Sequence, residues 1–234
     1  MKAIREERLS SASYTPQSAV DRCNRPMKLE RLCAVWSHSY HVTSGANLAS
    51  IRKSRVLWPA GTLLERANRP HFVRRRRTED LLLRVEALQV LIRNQIPLDP
   101  SSLDLGSTCT LEEYVVCLNS YVFFWPGTAI GPSNDGVRMF ERTDGTRAIV
   151  IRVPTRSLIE ANLAAPKYVA TCNTGVTWTE RGIKARRGPE VFQCLDEFSE
   201  QPAHIHEICF KGEIRLPDSA ELGSSPTGPW SALV

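Results

Sequence analysis

Residues 39–51 read SYHVTSGANLASI, and this stretch near the front of the chain decides how the rest is interpreted. The residues around His41 are typical of a strand end that delivers an imidazole. Residues 43–45 then form a turn, and apolar residues spaced along one face after Asn47 indicate the start of a helix. A histidine that leaves a strand before a glycine turn suits a ribose hydroxyl, although an ordinary surface turn has the same composition.

Composition indicates a globular protein with a sizeable core. The 234 residues are 42% apolar and 7% aromatic, which excludes global disorder. No stretch approaches the roughly 18 consecutive apolar residues of a membrane span, and the N-terminus lacks the apolar centre of a signal peptide. Seven cysteines without a C-x-x-C spacing favour reduced thiols over a disulfide framework. We therefore expect a soluble, cytoplasmic protein with no membrane partner.

The sequence predicts one folded domain with a loose segment at each end. Residues 1–32 mix Ser, Arg, Glu, Pro and Gln without an apolar period, as in a flexible leader, and Met27 could be the natural start. Residues 33–218 carry the apolar pattern of a folded domain. Residues 219–234 are rich in Ser, Gly and Pro, which predicts a flexible C-terminal tail.

The order of the predicted elements is that of an α+β protein. Helices are expected at residues 62–67, 110–119 and 155–162, and strands at 56–59, 121–125, 147–153, 167–172, 205–210 and 212–216. Residues 78–94 begin like a helix and end like a strand, whereas 131–136 and 173–189 are expected to be loops. Short strands and helices follow one another without a regular β-α-β order, so we predict a mainly antiparallel sheet with short flanking helices.

Several familiar nucleotide-binding and hydrolase motifs are absent from the sequence. There is no G-x-G-x-x-G after a strand, no P-loop, no G-x-S-x-G and no H-E-x-x-H, so the corresponding sites have no support. His204 and His206 would share one strand face and Cys209 the opposite one, so they cannot easily converge with His41 on a metal ion. We predict no metal site.

Glu207 is the strongest candidate for a chemical role. Alternation along residues 205–210 places it on the same strand face as Ile205 and Cys209. Carboxylates are rarely buried without a partner, so a glutamate in this position indicates a site residue. The alternative is a glutamate on an edge strand that leans into solvent.

Three motifs together resemble the ADP-ribosyltransferase superfamily, in particular the poly(ADP-ribose) polymerases and the DNA-modifying DarT-type toxins. The first is the Tyr-His strand end, turn and Asn-Leu-x-x-Ile helix start within residues 39–51. The second is the aromatic strand at residues 121–125, and the third is the late strand at 206–210, which opens with the glutamate. The motifs occur in the expected order over residues 39–216.

The resemblance implies a split antiparallel sheet that holds NAD in the cleft between its halves. Glu207 would be the catalytic residue and bond the 2′-hydroxyl of the nicotinamide ribose. The predicted cofactor-binding set is His41 on a ribose hydroxyl, the backbone of Val42 on the carboxamide, Asn47 on the dinucleotide, and Thr43, Tyr121, Phe123, Phe124 and Arg93. The aromatic ring that stacks on nicotinamide stays open, and both Arg93 and the arginine run at residues 74–77 are candidates for the pyrophosphate.

An arginine-rich loop at residues 173–189 lies shortly before the glutamate strand, on the side from which the superfamily reads its acceptor. The predicted acceptor-binding residues are Arg181, Arg186, Arg187 and Trp178. Their charge favours an anionic acceptor such as DNA or RNA, and the indole could stack on a base or serve in packing. This loop and the run at residues 74–77 could equally be a solvated basic face.

These observations predict an NAD-dependent mono-ADP-ribosyltransferase that modifies a macromolecule, of the bacterial toxin or phage-defence kind, with an antitoxin or immunity protein as a further partner. An NAD-dependent RNA 2′-phosphotransferase is one alternative, because such an enzyme binds a phosphate through basic residues and this chain has two arginine-rich runs. A non-catalytic module that binds nucleic acid through the arginines is the other.

Overall fold

The computed structural model of the chain describes residues 29–143, 147–177 and 181–234. Residues 1–28 of the predicted leader lie outside these ranges. For residues 29–32 the prediction of a flexible leader is wrong, because Leu29–Val35 form helix α1, and Leu32 is fully buried in the main core.

Short helices and strands fill the rest of the described chain. The helices are α2 (Leu48–Ser54), α3 (Ala60–Arg66), α4 (Leu111–Asn119), α5 (Asn134–Arg142) and α6 (Thr155–Glu160). The strands are β1 (His38–Ser44), β2 (Val56–Leu57), β3 (Leu81–Val85), β4 (Leu88–Ile92), β5 (Leu103–Asp104), β6 (Tyr121–Gly127), β7 (Ala148–Pro154), β8 (Lys167–Ala170), β9 (Ala185–Arg186), β10 (Gln193–Cys194), β11 (Glu207–Lys211), β12 (Ile214–Arg215), β13 (Glu221–Gly223) and β14 (Trp230–Ala232).

The main sheet has eight strands in the order β10-β8-β11-β6-β1-β7-β13-β14, and every neighbouring pair is antiparallel. The prediction of a mainly antiparallel α+β fold is therefore confirmed. Its predicted helix at residues 110–119 is also confirmed in α4, which begins with a capping box: the Thr110 hydroxyl accepts from the Glu113 N–H, and the Glu113 carboxylate accepts from the Thr110 N–H.

The ladder between β1 and β6 is short, and the sheet opens beyond it. The two strands pair only from His38 opposite Gly127 to Tyr40 opposite Trp125. From His41 onward β1 pairs with β7 alone. The part of β6 that precedes Trp125, residues 121–124, pairs with β11 instead. The main-chain groups of the two strands thus diverge in the middle of the sheet, and this gap positions the site described below.

The two faces of β6 and β11 pack against different clusters of apolar side chains. Phe124 and Phe210 point into the main core together with residues of α1 and α6, and their rings meet edge to face at 5.8 Å. Tyr121 and Cys209 lie on the opposite face, in a second cluster formed with α4. Alternation along a strand explains this division, because neighbouring side chains point to opposite sides of the sheet.

The helix expected at the start of residues 78–94 is wrong, because this segment forms the hairpin β3–β4. Its alternate residues Leu83, Val85, Val90 and Ile92 are buried in one small cluster with the apolar face of α3. The polar residues at 78–80 resemble a helix cap, but the period of two that follows them decides the structure.

Two further expectations differ from the structure. Residues 134–136, expected to be loop, begin α5, where a Cβ on Gly136 would come within 2.9 Å of the Trp125 Cβ, so the helix packs closely on β6. Residues 219–234, expected to be a loose tail, supply β13 and β14 at the edge of the main sheet. Pro226, Gly228 and Pro229 lie in the turn between the two strands.

Candidate active site at the opening in the sheet

A cavity of about 280 Å³ lies where β1 and β6 diverge. This volume is just below the usual range for small-molecule sites, roughly 300–1,000 Å³. Eight of the nine residues predicted to act on NAD line it: His41, Val42, Thr43, Asn47, Arg93, Tyr121, Phe123 and Glu207. The structure therefore brings together residues from both ends of the domain around one space.

Glu207 begins β11 and is only 2% exposed. The hydroxyl of Thr174 donates to its Oε2 at 2.6 Å, and the Thr174 N–H donates to the same oxygen at 3.2 Å. Oε1 accepts no hydrogen bond from any residue in the described ranges. Burial away from water raises the pKa of this carboxyl to about 7, against the opposing effect of the two hydrogen bonds.

His41 lies in β1 at the point where the sheet opens. Its Nδ1 is 2.9 Å from the carbonyl oxygen of Phe123, across the gap between the strands. A carbonyl oxygen can only accept, so Nδ1 carries the proton. Burial lowers the pKa of this histidine, which keeps the ring neutral near pH 7 and leaves Nε2 as a hydrogen-bond acceptor. Such an acceptor suits a hydroxyl group of a ligand.

The three predicted aromatic residues do not have equivalent positions. Phe123 is half-buried and lines the cavity. Tyr121 also lines it, but its ring is stacked on Phe192 with 4.6 Å between centroids. The prediction for Phe124 is wrong, because this ring is fully buried in the main core on the opposite face of β6. Phe123 is thus the ring with the most freedom to contact a bound ligand.

Asn47 is buried, and its amide is occupied by the protein itself. Its Oδ1 accepts from the Leu91 N–H at 2.7 Å, and its Nδ2 donates to the Leu91 carbonyl and to the Thr43 hydroxyl, each at 2.9 Å. The side chain therefore pairs with β4 as a neighbouring strand would. Asn47 therefore fixes the β3–β4 hairpin beside the cavity, and its amide groups already have partners within the protein.

Two arginines line the cavity without a carboxylate within ion-pair distance in the described part of the chain: Arg77 and Arg93. Arg77 is 6% exposed and donates to the Arg93 carbonyl and to Asn119 Oδ1, both at 2.9 Å. Burial lowers its pKa to about 10, so it stays charged at pH 7. A buried cation without an anionic partner is costly, and an anion in the cavity would supply that partner.

The remaining arginines of the run at residues 74–77 are engaged elsewhere. Arg74 forms an exposed ion pair with Glu112 at 2.8 Å. Arg76 donates to the carbonyls of Gln95, Ile96 and Leu98 and so fastens the segment after β4. Arg76 and Arg77 are therefore internal clamps, whereas Arg74 and Arg75 are exposed, the latter with its guanidinium 6.0 Å from the centre of the Phe72 ring.

The acceptor-loop arginines also differ from expectation. Arg187 is 6% exposed and donates to the carbonyls of Asn173, Val176 and Arg186, so its assignment to the acceptor is wrong. Arg186 is exposed but pairs with Asp104 at 3.4 Å and Glu190 at 3.1 Å. Arg181 is exposed, and Trp178 lies outside the described residues.

Thr174 is the site residue that the sequence analysis missed. It is fully buried, lines the cavity and contacts the Glu207 carboxylate directly. Nothing in the local sequence distinguishes this threonine from its neighbours in a polar loop. Its role is visible only once the fold places residues 173–176 against the start of β11.

The described ranges meet neither the requirements of a metal site nor those of a membrane-spanning helix. They contain no group of three or more His, Cys, Asp or Glu side chains placed to hold a metal ion. None of their helices combines the length and the apolar character that crossing a membrane requires.

Fold and site together define an α+β protein whose antiparallel sheet opens onto a cavity with a buried carboxylate and a neutral imidazole. Residues 37–219 match a family of unknown function, DUF7002, and since this match spans more than half of the chain, the protein belongs to that family. No curated protein and no solved structure matches the chain.

Proposed function

We propose that this protein is an NAD-dependent mono-ADP-ribosyltransferase with an ADP-ribosyltransferase-like fold and Glu207 as its catalytic residue. The observation that carries the proposal is the meeting of His41 and Glu207, far apart in sequence, around one cavity. The divergence of β1 and β6 supports it, because the superfamily resemblance implies a dinucleotide held where an antiparallel sheet splits.

In the proposed reaction, the bond between ribose C1′ and the pyridinium nitrogen of NAD breaks. The bonding electrons stay on nitrogen, and neutral nicotinamide leaves. The ribose becomes positively charged at C1′, and the adjacent Glu207 carboxylate stabilises that charge. A nucleophilic atom of the acceptor then bonds to C1′, and its proton passes to the carboxylate or to solvent.

The other cavity residues have matching roles in this proposal. His41, neutral and with Nε2 as an acceptor, binds a ribose hydroxyl. Phe123 provides an aromatic face for the nicotinamide ring. Arg77 and Arg93, which form no ion pair in the described ranges, neutralise the pyrophosphate.

The acceptor is proposed to be a macromolecule, as the sequence suggests. Fewer arginines of the loop are available to contact nucleic acid than the sequence predicted. Arg187 is internal, and Arg186 is neutralised by two acids. Arg181 and Lys184 are the exposed cations that remain in the described part of this loop. A toxin or phage-defence role and an antitoxin partner stay predictions from the resemblance.

An RNA 2′-phosphotransferase is the second candidate. The observation in its favour is the pair Arg77 and Arg93, because two cations that line one cavity would also hold the phosphate of a 2′-phosphorylated RNA. This enzyme would likewise consume NAD. The two candidates differ in the product that carries the phosphate.

The test is incubation with NAD radiolabelled in its adenylate phosphate, offered with separate pools of DNA, RNA and protein. We expect label in one macromolecular pool, and a loss of roughly 10²-fold or more in Glu207→Gln with NAD binding retained in calorimetry. Formation of ADP-ribose 1″,2″-cyclic phosphate from 2′-phosphorylated RNA alone would establish the second candidate. Absence of both NAD binding and turnover would refute both.

A further inference from the structure

Thr174 makes both hydrogen bonds that the Glu207 carboxylate receives within the described residues. Its hydroxyl and its backbone N–H converge on Oε2, at 2.6 Å and 3.2 Å. Two donors on one carboxylate oxygen fix the rotation of the group. The other oxygen, Oε1, is left for a ligand in the cavity that both residues line.

The threonine is itself held rigidly by the surrounding loop. The Tyr114 hydroxyl, from a fully buried tyrosine of α4, donates to the Thr174 carbonyl at 2.9 Å. The guanidinium of Arg187 donates to the carbonyls of Asn173 and Val176, on either side of the threonine, at 2.9 Å each. The loop is therefore fastened at three carbonyls, those of residues 173, 174 and 176, around the side chain that contacts the carboxylate.

We propose that Thr174 is the positioning residue of the active site, holding Oε2 of Glu207 so that Oε1 meets the ribose of NAD. This inference rests on the proposed function and extends it to a residue in a loop that carries no recognisable motif. Positioning within a fraction of an ångström is worth orders of magnitude in rate, so the effect falls on kcat.

The same hydrogen bonds act on the ionisation of Glu207. A donor favours the charged form of a carboxyl, so Thr174 lowers its pKa against the upward effect of burial. The other groups around this carboxyl are Asp135 of α5, Arg187 and Cys172 of the adjoining loops, Tyr114 of α4, Cys209 of its own strand and His41 across the cavity. Removal of the threonine hydroxyl leaves all of these in place and raises the pKa.

The experiment compares Thr174→Val, which keeps the shape and removes the donor, with Thr174→Ser, which keeps the donor. Thr155→Val is the matched control, because this fully buried threonine also makes a side-chain hydrogen bond, to Ser39 at 2.9 Å, away from the cavity. Thermal unfolding checks that each variant folds, and Thr174→Ala replaces the valine variant if that one does not.

Two readouts are measured on each full-length variant. The first is NAD turnover against pH: we expect kcat to fall roughly 10-fold or more in Thr174→Val, with KM within about twofold and recovery in Thr174→Ser. The second needs no substrate. The carboxyl of Glu207, labelled with ¹³C and assigned by its disappearance in Glu207→Gln, should titrate about one unit higher in Thr174→Val.

The outcomes distinguish a failure of the role inferred for Thr174 from a failure of the proposed NAD-dependent function. An unchanged Glu207 pKa in Thr174→Val, or an unchanged kcat beside a raised KM, overturns the inference. An equal loss in Thr155→Val overturns it as well, since the effect would then be one of stability. A wild-type protein that does not turn over NAD refutes the proposed function, and the carboxyl titration then decides by itself whether Thr174 governs Glu207.

Discussion

Glu207 is a buried acid whose pKa in the folded protein, about 7, lies well above the ordinary 4.5 of a glutamate. Between these values the folded protein binds more protons at this position than the unfolded chain, so its contribution to stability falls as the pH rises. Activity follows the opposite course, because the proposed mechanism needs the ionised carboxylate. NAD turnover should therefore increase through pH 7, while the contribution of Glu207 to the free energy of unfolding decreases toward it.

The effect on stability is measured as a difference between wild type and Glu207→Gln. His38 and His41 have lowered pKa values through burial and shift stability in the opposite sense, but they are common to both proteins and cancel. The stability of the variant relative to wild type should grow from about pH 4.5 to 7, by on the order of 3 kcal/mol. A constant difference across chemical denaturation at these pH values would show that Glu207 titrates normally.

Arg93 provides a second test at this scale. It is half-buried, its pKa is lowered by burial, and its guanidinium donates to the Met139 sulfur at 3.3 Å. If it neutralises the pyrophosphate, Arg93→Met should raise KM for NAD roughly 10-fold, since a charge-assisted hydrogen bond is worth about 1.5–3 kcal/mol. Arg84→Met, on the exposed face of the neighbouring strand β3, should leave KM unchanged. Equal effects of the two substitutions on binding would count against a phosphate subsite.

The position of a residue at the cavity was predictable where its type is unusual for its place in the sequence. Glu207 on an apolar strand face and His41 before a glycine turn are such cases. Phe124 and Arg187 are not, because adjacent aromatic residues in a strand divide between the two faces, and an arginine in a polar loop can equally serve the loop's own carbonyls. Those choices depend on tertiary packing, which the local sequence does not encode.

Among the structural elements, the β3–β4 hairpin depends most on one side chain. Asn47 makes two hydrogen bonds to Leu91 of β4 and a third to Thr43. Asn47→Ala should cost about 1–3 kcal/mol of stability, accelerate hydrogen exchange of residues 88–92 and raise KM for NAD, because the hairpin carries Arg93 to the cavity.

Asn162 offers a closely matched control for this prediction. It is equally buried and clamps Arg215 in the same way, accepting from its N–H at 2.8 Å and donating to its carbonyl at 2.9 Å, but it does not line the cavity. Asn162→Ala should cost similar stability without a change in KM or in exchange of residues 88–92. If Asn47→Ala behaves in the same way as this control, the hairpin does not form part of the site.

The elements themselves were predicted unevenly, and the reason is physical. The cap and apolar face of α4 and the β-branched run of β7 are local signals, and both elements occur as expected. The strand expected at the end of residues 78–94 is confirmed in β4, but the first half of the hairpin was misjudged as a helix, because α3 buries Leu83 of β3 from outside the segment. Short elements of this kind acquire their structure from tertiary partners more than from intrinsic preference.

At the scale of the whole molecule, the antiparallel α+β class could be predicted, but the extent of the sheet could not. The glycine- and proline-rich end of the chain reads as loose, yet β13 pairs with β7, and the Trp230 ring lies 5.9 Å from that of Tyr40 in β1. These residues lie beyond the segment matched by the family, which ends at residue 219. They nevertheless cover the outer edge of β7, the strand that pairs with β1 along the segment that carries His41.

Two adjacent apolar residues at the end of the chain test this arrangement. Leu233 is 1% exposed in the main core, and its N–H donates to the Ala220 carbonyl, whereas Val234 is 87% exposed. Leu233→Ala should lower the free energy of unfolding by about 2–3 kcal/mol, and Val234→Ala by less than about 0.5 kcal/mol. In thermal denaturation the first change corresponds to a Tm lower by roughly 4–12 °C. A loose tail would make the two variants indistinguishable, so a small and equal effect of both would place the edge of the functional sheet at β7 instead.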